Sequence, residues 1–176
     1  FEPLRHYAEV HLLMEPLPAG SGLIFETNVR TDMLAMNWQR LILTHLEERQ
    51  HRGVLTGAPI TDMRISVIGG KAHLKHTEGG DFRQAVYRAV RQGLMMTSNV
   101  LLEPYYRFSL EVPTGSVGRA LNDLDRIHAQ FGMNELNEAK GTSVIKGRAA
   151  VSALKNYPRE IAAYTQGQGS VTMVND

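Results

Sequence analysis

Over the first hundred residues, apolar positions alternate between strand-like and helix-like spacing. From Tyr7 to Glu15 the chain is rich in apolar and β-branched residues, and Pro16 and Pro18-Ala19-Gly20-Ser21-Gly22 close the run, predicting a strand followed by a loop. Leu23 to Asn28 reads as a second strand. Leu34, Trp38, Leu41, Ile42, His45 and Leu46 then recur at helical spacing, with Arg40, Thr44, Glu47 and Glu48 on the opposite face and Gly53 as a stop. Ile60 to Ile68 alternates as a third strand ending at Gly69-Gly70. Lys71 to Gly80 is polar and histidine-rich and predicts a protruding loop. Phe82, Ala85, Val86, Ala89, Val90 and Leu94 follow as a helix that fades near Thr97, with Asp81 placed to cap its first N–H groups and Met95-Met96 read as core filler.

The pattern restarts after Glu103-Pro104, the best boundary in the chain. Tyr106, Phe108, Leu110 and Val112 share one face of a strand, Arg107, Ser109 and Glu111 the other, and Pro113 ends it. Ser116 is placed to cap a helix buried along Val117, Ala120, Leu121, Leu124, Ile127, His128 and Phe131, with Gly132 as a left-handed stop. Strands are expected near Met133–Ala139 and Thr142–Ala149, then a helical stretch broken at Pro158 and a last strand over Ser170–Val174. The order β-α-β-β-α-β predicts a ferredoxin-like unit. No repeat or low-complexity tract is evident.

Composition adds bounds. The 176 residues, 43% hydrophobic, leave room for two compact cores. No apolar run approaches the roughly 20 residues of a membrane span, and no signal-peptide pattern opens the chain, so a soluble protein without a membrane partner is expected. The absence of cysteine excludes disulfides, thiol nucleophiles and thiolate zinc sites, and makes the cytoplasm the expected compartment. Nineteen basic against 18 acidic side chains give a net charge of +1, so any RNA contact must be local. The chain starts at Phe1 without an initiator methionine, already in a strand-like stretch, and a piece of something larger is expected.

Four segments in order carry a resemblance. Gly53-Val54-Leu55-Thr56-Gly57-Ala58-Pro59-Ile60-Thr61-Asp62 is similar to the "G-V-L-x-G-x-P-V-x-D" stretch of elongation factor G domain IV. Gly70-Lys71-Ala72-His73 resembles its "G-x-Y-H", with Phe82 at the position of its "A-F" helix start. Leu101-Leu102-Glu103-Pro104 matches its "L-L-E-P" at the start of domain V, and Tyr164-Thr165-Gln166-Gly167-Gln168-Gly169 is similar to "L-T-x-G-R-G". Gly80-Asp81-Phe82-Arg83 resembles the "A-D-F-R" of the tetracycline-resistance ribosomal protection proteins more than the factor's "L-A-F-K". The chain is therefore identified as resembling domains IV and V of an elongation factor G-like translational GTPase, nearer the protection branch.

That resemblance implies an α+β fold: a ribosomal protein S5 domain 2-like unit over 1–102, with a decoding-centre tip loop at 71–80, and a ferredoxin-like unit over 103–176. It implies a ribosome partner, comprising 16S and 23S ribosomal RNA and ribosomal proteins, together with the rest of a parent GTPase. Domain IV would reach the ribosomal A site to promote translocation or release tetracycline, and domain V would pack near the factor-binding centre of the large subunit. At the tip, where the factor has "H-D-V-D-S-S" and the protection proteins "Y-S-P-V-S-T", this chain reads His73-Leu74-Lys75-His76-Thr77-Glu78; in domain V, Ile161-Ala162-Ala163 replaces "L-R-S".

The candidate RNA-binding residues are Lys71, His73, Leu74, Lys75, His76 and Thr77. With Arg83, Arg88 and Arg91 against only Glu78 and Asp81, this is the most basic local stretch, and cations on an exposed loop suit phosphate contacts. The competing reading makes the helix arginines a solvated face. A stand-alone enzyme using His73, His76 and Asp81 as acid–base or metal groups is the alternative from another class, but no activated nucleophile or carboxylate pair accompanies them. His45 and His128 are read as satisfied core residues, and Gly167-x-Gly169 as a turn. No G-x-x-x-x-G-K-[ST] occurs. No catalysis and no cofactor are expected of these residues; GTP and Mg²⁺ would belong to a GTPase domain of the parent.

Overall fold

The computed structural model describes residues 5–176, so the strand-like reading at Phe1 lies outside the described residues. The chain divides into two compact units that meet at Leu101 and Leu102. Both mix helices with a sheet, giving the α+β class.

The first unit runs β1 (Ala8–Pro16), β2 (Leu23–Thr27), α1 (Met36–Glu47), β3 (Met63–Ala72) and α2 (Gly79–Met96). Its sheet has the order β1-β3-β2, with β1 antiparallel and β2 parallel to the central β3. A parallel neighbour needs a crossover, and α1 supplies it. Ile42 and Leu46 of α1, Ile65 and Val67 of β3, and Phe82, Val86 and Val90 of α2 are buried in one core, and Trp38 lies 5.2 Å from the Phe82 ring. Gln39, a polar residue on the buried side of α1, is accommodated because its amide donates to the carbonyls of Val29 and Leu34 while its oxygen accepts from Thr27.

Strand β3 continues through Gly69-Gly70 to Ala72 rather than stopping there. The reason is proximity. A Cβ at Gly70 would lie 2.8 Å from the Glu9 carbonyl oxygen and 3.0 Å from Leu34 Cδ2, and the ladder shifts register between His11 and Leu12 to let β1 pass. Helix α2 likewise begins three residues earlier than expected. Asp81 is not the N-cap but the third helical residue, its carboxylate accepting from the Glu78 N–H at 2.8 Å as in a capping box. Met95 and Met96 are 66% and 78% exposed and do not fill the core.

The second unit runs β4 (Tyr105–Pro113), a 3₁₀ turn (Thr114–Ser116), α3 (Val117–Arg126), β5 (Gln130–Phe131), β6 (Glu135–Asn137), β7 (Thr142–Ala150), α4 (Val151–Leu154), α5 (Tyr157–Tyr164) and β8 (Ser170–Asn175). The sheet order β5-β7-β4-β8, with β6 also on β7 and all pairs antiparallel, is the ferredoxin-like arrangement. Phe108, Leu110 and Val112 of β4 pack with Ala120, Leu124, Ile145, Leu154 and Ile161. The expected helical stretch is broken next to Pro158, into α4 and α5, and the proline itself sits in the first turn of α5, where a missing N–H is harmless.

Three details of this unit differ from expectation. Ser116 makes no side-chain cap, because the 3₁₀ turn leads directly into α3. The left-handed residue after α3 is His128, at φ 56°, not Gly132, and His128 is exposed. Its N–H donates to the Asp125 carbonyl, so the histidine closes the helix rather than packing beneath it. No helix among the described residues is long and apolar enough to cross a membrane.

The close approach at Gly70 can be tested directly. Gly70→Ala should destabilise the first unit by about 1–3 kcal/mol, whereas Gly80→Ala, which meets nothing within 4 Å and lies in a helix, should stabilise it by up to about 1 kcal/mol. Denaturant unfolding of both variants checks this; equal stabilities contradict it.

Candidate nucleic-acid interface

Since β2 and β3 are parallel, the loops after them emerge at the same end of the sheet. The loop after β3 spans His73 to Glu78, shorter than the stretch 71–80: Lys71 and Ala72 belong to β3, and Gly79 and Gly80 to α2. It is a compact turn. The N–H groups of His76 and Thr77 both donate to the His73 carbonyl, at 3.2 and 3.1 Å.

Two further bonds tie this turn to the start of β1. The Tyr7 N–H donates to the His76 carbonyl at 2.7 Å. The Thr77 hydroxyl accepts from the His73 N–H at 2.6 Å and donates to the Tyr7 carbonyl at 2.6 Å. Thr77 therefore fixes the loop, and its hydroxyl is committed internally. His73, Leu74, Lys75 and His76 are all exposed, Leu74 completely, at 104% of the reference area.

The two histidines stack, with ring centroids 4.5 Å apart and planes 13° from parallel. His73 Nδ1 faces the Lys75 N–H at 3.2 Å. As acceptor there, the neutral ring carries its proton on Nε2, the nitrogen left to donate outward. The loop thus presents a paired imidazole surface, an ammonium group and an isobutyl group on a short hydrogen-bonded turn.

Lys71 lies on β3 opposite Glu9 of β1. The Tyr7 hydroxyl and then His11 hydrogen-bond Glu9 and hold its carboxyl below the ordinary carboxylate value, with the Lys71 charge contributing less. Lys71 is exposed but partly answered by this carboxylate. The loop after β2 adds Arg30 and Met33, which pattern reading passed over. Arg30 is exposed and paired with Asp32 at 2.7 Å, and Met33 is 64% exposed. Leu34, at the end of that loop, anchors it against Gly70.

The helix arginines divide. Arg83 Nε donates to Glu48 at 3.0 Å, and the same oxygen accepts from the Tyr87 hydroxyl and from His45 Nδ1. The Tyr87 bond first, then Arg83, hold the Glu48 carboxyl at about 2 against an ordinary 4.5. Arg83 therefore joins α2 to the end of α1, and Arg49 stacks over Tyr87 at 4.4 Å. Arg88 and Arg91 remain on the exposed face. His45 is buried, as expected, with only Nδ1 hydrogen-bonded among the described residues.

The acid–base constellation does not assemble. Asp81 is buried and turned to Glu78 N–H and to His6 Nδ1, at 3.1 Å, while His73 and His76 face each other. Among the described residues no three His, Cys, Asp or Glu side chains form a metal-ligating group. The Gly167–Gly169 turn is closed on itself, Gly167 N–H donating to Ala162 and Gly169 N–H to the Thr165 hydroxyl. Those amides are not free to cradle a nucleotide phosphate, and the turn does not fit GTP.

Two family models match the chain: "Elongation factor G, domain IV" over residues 1–98 and "Elongation factor G C-terminus" over residues 100–176. A solved crystal structure of a Thermus thermophilus protein, described as ttk003000868, is similar, with a TM-score of 0.84 and 25% sequence identity. The match covers 97% of this chain and 25% of that one, so the chain spans about a quarter of that protein's length.

Two outcomes follow from the geometry. Thr77→Val removes both hydroxyl bonds; at about 1 kcal/mol per bond, hydrogen exchange at the His73 amide should accelerate about tenfold or more, and unchanged exchange contradicts the latch. The Glu48 carboxyl is lowered in the folded state, so its contribution is complete above about pH 5 and is lost as pH falls from 4.5 toward 2. Acid unfolding of Glu48→Gln should lack that component; an identical acid profile in variant and wild type contradicts it.

Proposed function

The chain belongs to the elongation factor G family, and on that premise we propose that it is a ribosome-contacting module whose first unit carries the working tip. The single observation behind this reading is the turn His73–His76, exposed in its side chains yet fixed in its backbone by Tyr7 and Thr77. A preformed loop loses less conformational freedom on binding than a mobile one, and irregular RNA is recognised through loops and unstacked bases that such a turn can meet.

In this reading Lys75 meets phosphate, His73 and His76 donate to phosphate or base edges, Leu74 packs against an exposed base, and Thr77 keeps the turn in shape. Lys71 adds positive charge behind the turn. The target is the decoding region of the small subunit, in the A site, with 16S ribosomal RNA as the immediate partner; the second unit meets the large subunit through 23S ribosomal RNA and ribosomal proteins. The outcome is translocation or the release of tetracycline. The Gly80-Asp81-Phe82-Arg83 stretch supports the drug-release branch. Tip insertion is mechanical, and GTP and Mg²⁺ would be handled by a GTPase domain of the parent in the cytoplasm.

Binding of the chain to isolated small subunits, measured across salt concentrations, tests the reading. Lys75→Ala/His76→Ala should weaken binding, and losing one phosphate contact should reduce the slope of log affinity against log salt by about 0.7–0.9. Equal affinity and slope for variant and wild type would refute it.

A further inference from the structure

The sheet of the second unit ends differently on its two sides. Next to β7 it closes with β5 and β6, strands of two and three residues, the latter carrying Glu135. On the far side lies β8, six residues reading Ser170-Val171-Thr172-Met173-Val174-Asn175, with no charge, proline or glycine. A bare strand edge offers unpaired N–H and C=O groups to another chain, and folded proteins blunt such edges with charge, proline, bulges or shortness. The first unit does so. Its β1 carries Glu9 and Glu15, shifts register beside His11 and ends at Pro16, and its β2 is five residues long and holds Glu26. None of these devices is present on β8.

Alternation along the β4–β8 ladder identifies the free groups. The Asp176 N–H donates to the Tyr105 carbonyl at 3.1 Å, one step beyond the Tyr106–Asn175 pair. Bonded and non-bonded pairs alternate in an antiparallel ladder, so Ser170, Thr172 and Val174 turn their main-chain groups toward β4. Val171, Met173 and Asn175 turn theirs away. The bond from the Val151 N–H to the Pro104 carbonyl, on the β7 side, sets the same alternation along β4. Among the described residues no strand pairs with the outer edge of β8.

We propose that β8 is a self-pairing edge, joining two copies of this chain antiparallel about a two-fold axis at Met173. In that register Met173 faces its own copy, Val171 faces Asn175, and Thr172 faces Val174. Every outward N–H and C=O of the strand then has a partner, and a two-fold contact closes on itself. Moving the axis to Thr172 also keeps side chains on matching faces, but it sets Asn175 against Gly169, whose N–H is already taken by the Thr165 hydroxyl at 2.9 Å. The Met173 register has no such conflict. A second copy brings an uncharged strand of equal length with its free groups in matching phase. Thr172 and Val174, both exposed, form across the axis the close β-branched contact of a non-bonded pair. One strand pair is a small interface, so the dimer is weak and depends on concentration.

Sedimentation equilibrium of the whole chain, from the micromolar to the millimolar range, should show a monomer–dimer equilibrium. Hydrogen exchange should slow with concentration at the Val171, Met173 and Asn175 amides, while Thr172 and Val174, already bonded to β4, change little. Thr172→Glu/Val174→Glu alters exposed side chains, sets one glutamate opposite Arg107 within the sheet, and should leave thermal unfolding close to wild type. Across the axis it opposes glutamate to glutamate at both symmetry-related contacts, which should raise the dimer dissociation constant about tenfold or more. Mixing it with Thr172→Lys/Val174→Lys should restore a mixed dimer. A monomer at every concentration, open-ended aggregates, or a dimer that the glutamate variant leaves intact overturns the inference. Exchange protection that appears elsewhere and not at the three β8 amides overturns it in favour of a different contact.

Discussion

The closeness of β3 to β1 determines where the tip sits. At Gly70 the two strands approach so tightly that a side chain would strike the Glu9 carbonyl, and the register shift beside His11 accommodates the approach. Ala72 consequently ends opposite Ala8, and the next residue back, Tyr7, is positioned to hold His76 and Thr77 through its own backbone. Without that register the turn would keep its sequence but lose its two anchors. On the other side of the turn, Asp81 satisfies the Glu78 N–H as α2 begins. The tip is thus defined from both flanks by hydrogen bonds to main-chain groups, which leave the side chains of His73–His76 exposed.

The second unit uses the same device for a different end. Gly147 lies on β7 where a Cβ would collide with the Gln130 carbonyl and the Phe108 ring, so β5 and β4 close tightly around that strand. The helices then cover one face only. Electrostatics follow from this: alternation sends Arg107, Lys146 and Arg148 to the same uncovered side, where one Asp176 carboxylate is shared between two guanidinium groups.

Much of this was legible in the chain. The helical spacing of Leu41, Ile42 and Leu46, and the alternation of Phe108, Leu110 and Val112, follow from the periods of helix and strand, and these residues form the two cores. What escaped depends on partners distant in sequence. A glycine pair reads as a stop unless the opposing Glu9 carbonyl is known; Asp81 reads as a cap unless Glu78 is seen to precede it in the box. His128 occupies a left-handed position usually given to glycine, and Met95 and Met96 follow the last buried turn of α2. In the candidate site, the exposure of His73–His76 was foreseeable from polarity, whereas the inward role of Thr77 and the capture of Arg83 by Glu48 were not, because each needs a partner tens of residues away.

The functional account reduces to one spatial claim: the end of the first unit bearing His73–His76 is the end that meets small-subunit RNA. The chain contains no cysteine, so a single introduced thiol can carry a hydroxyl-radical probe. Leu74→Cys places it at the tip, and Ser21→Cys at the opposite end of β3, about 30 Å away by strand length. With small ribosomal subunits bound, the account predicts strand scission in decoding-region RNA from position 74 and none there from position 21. Scission from position 21 alone, or equal patterns from both, would contradict it.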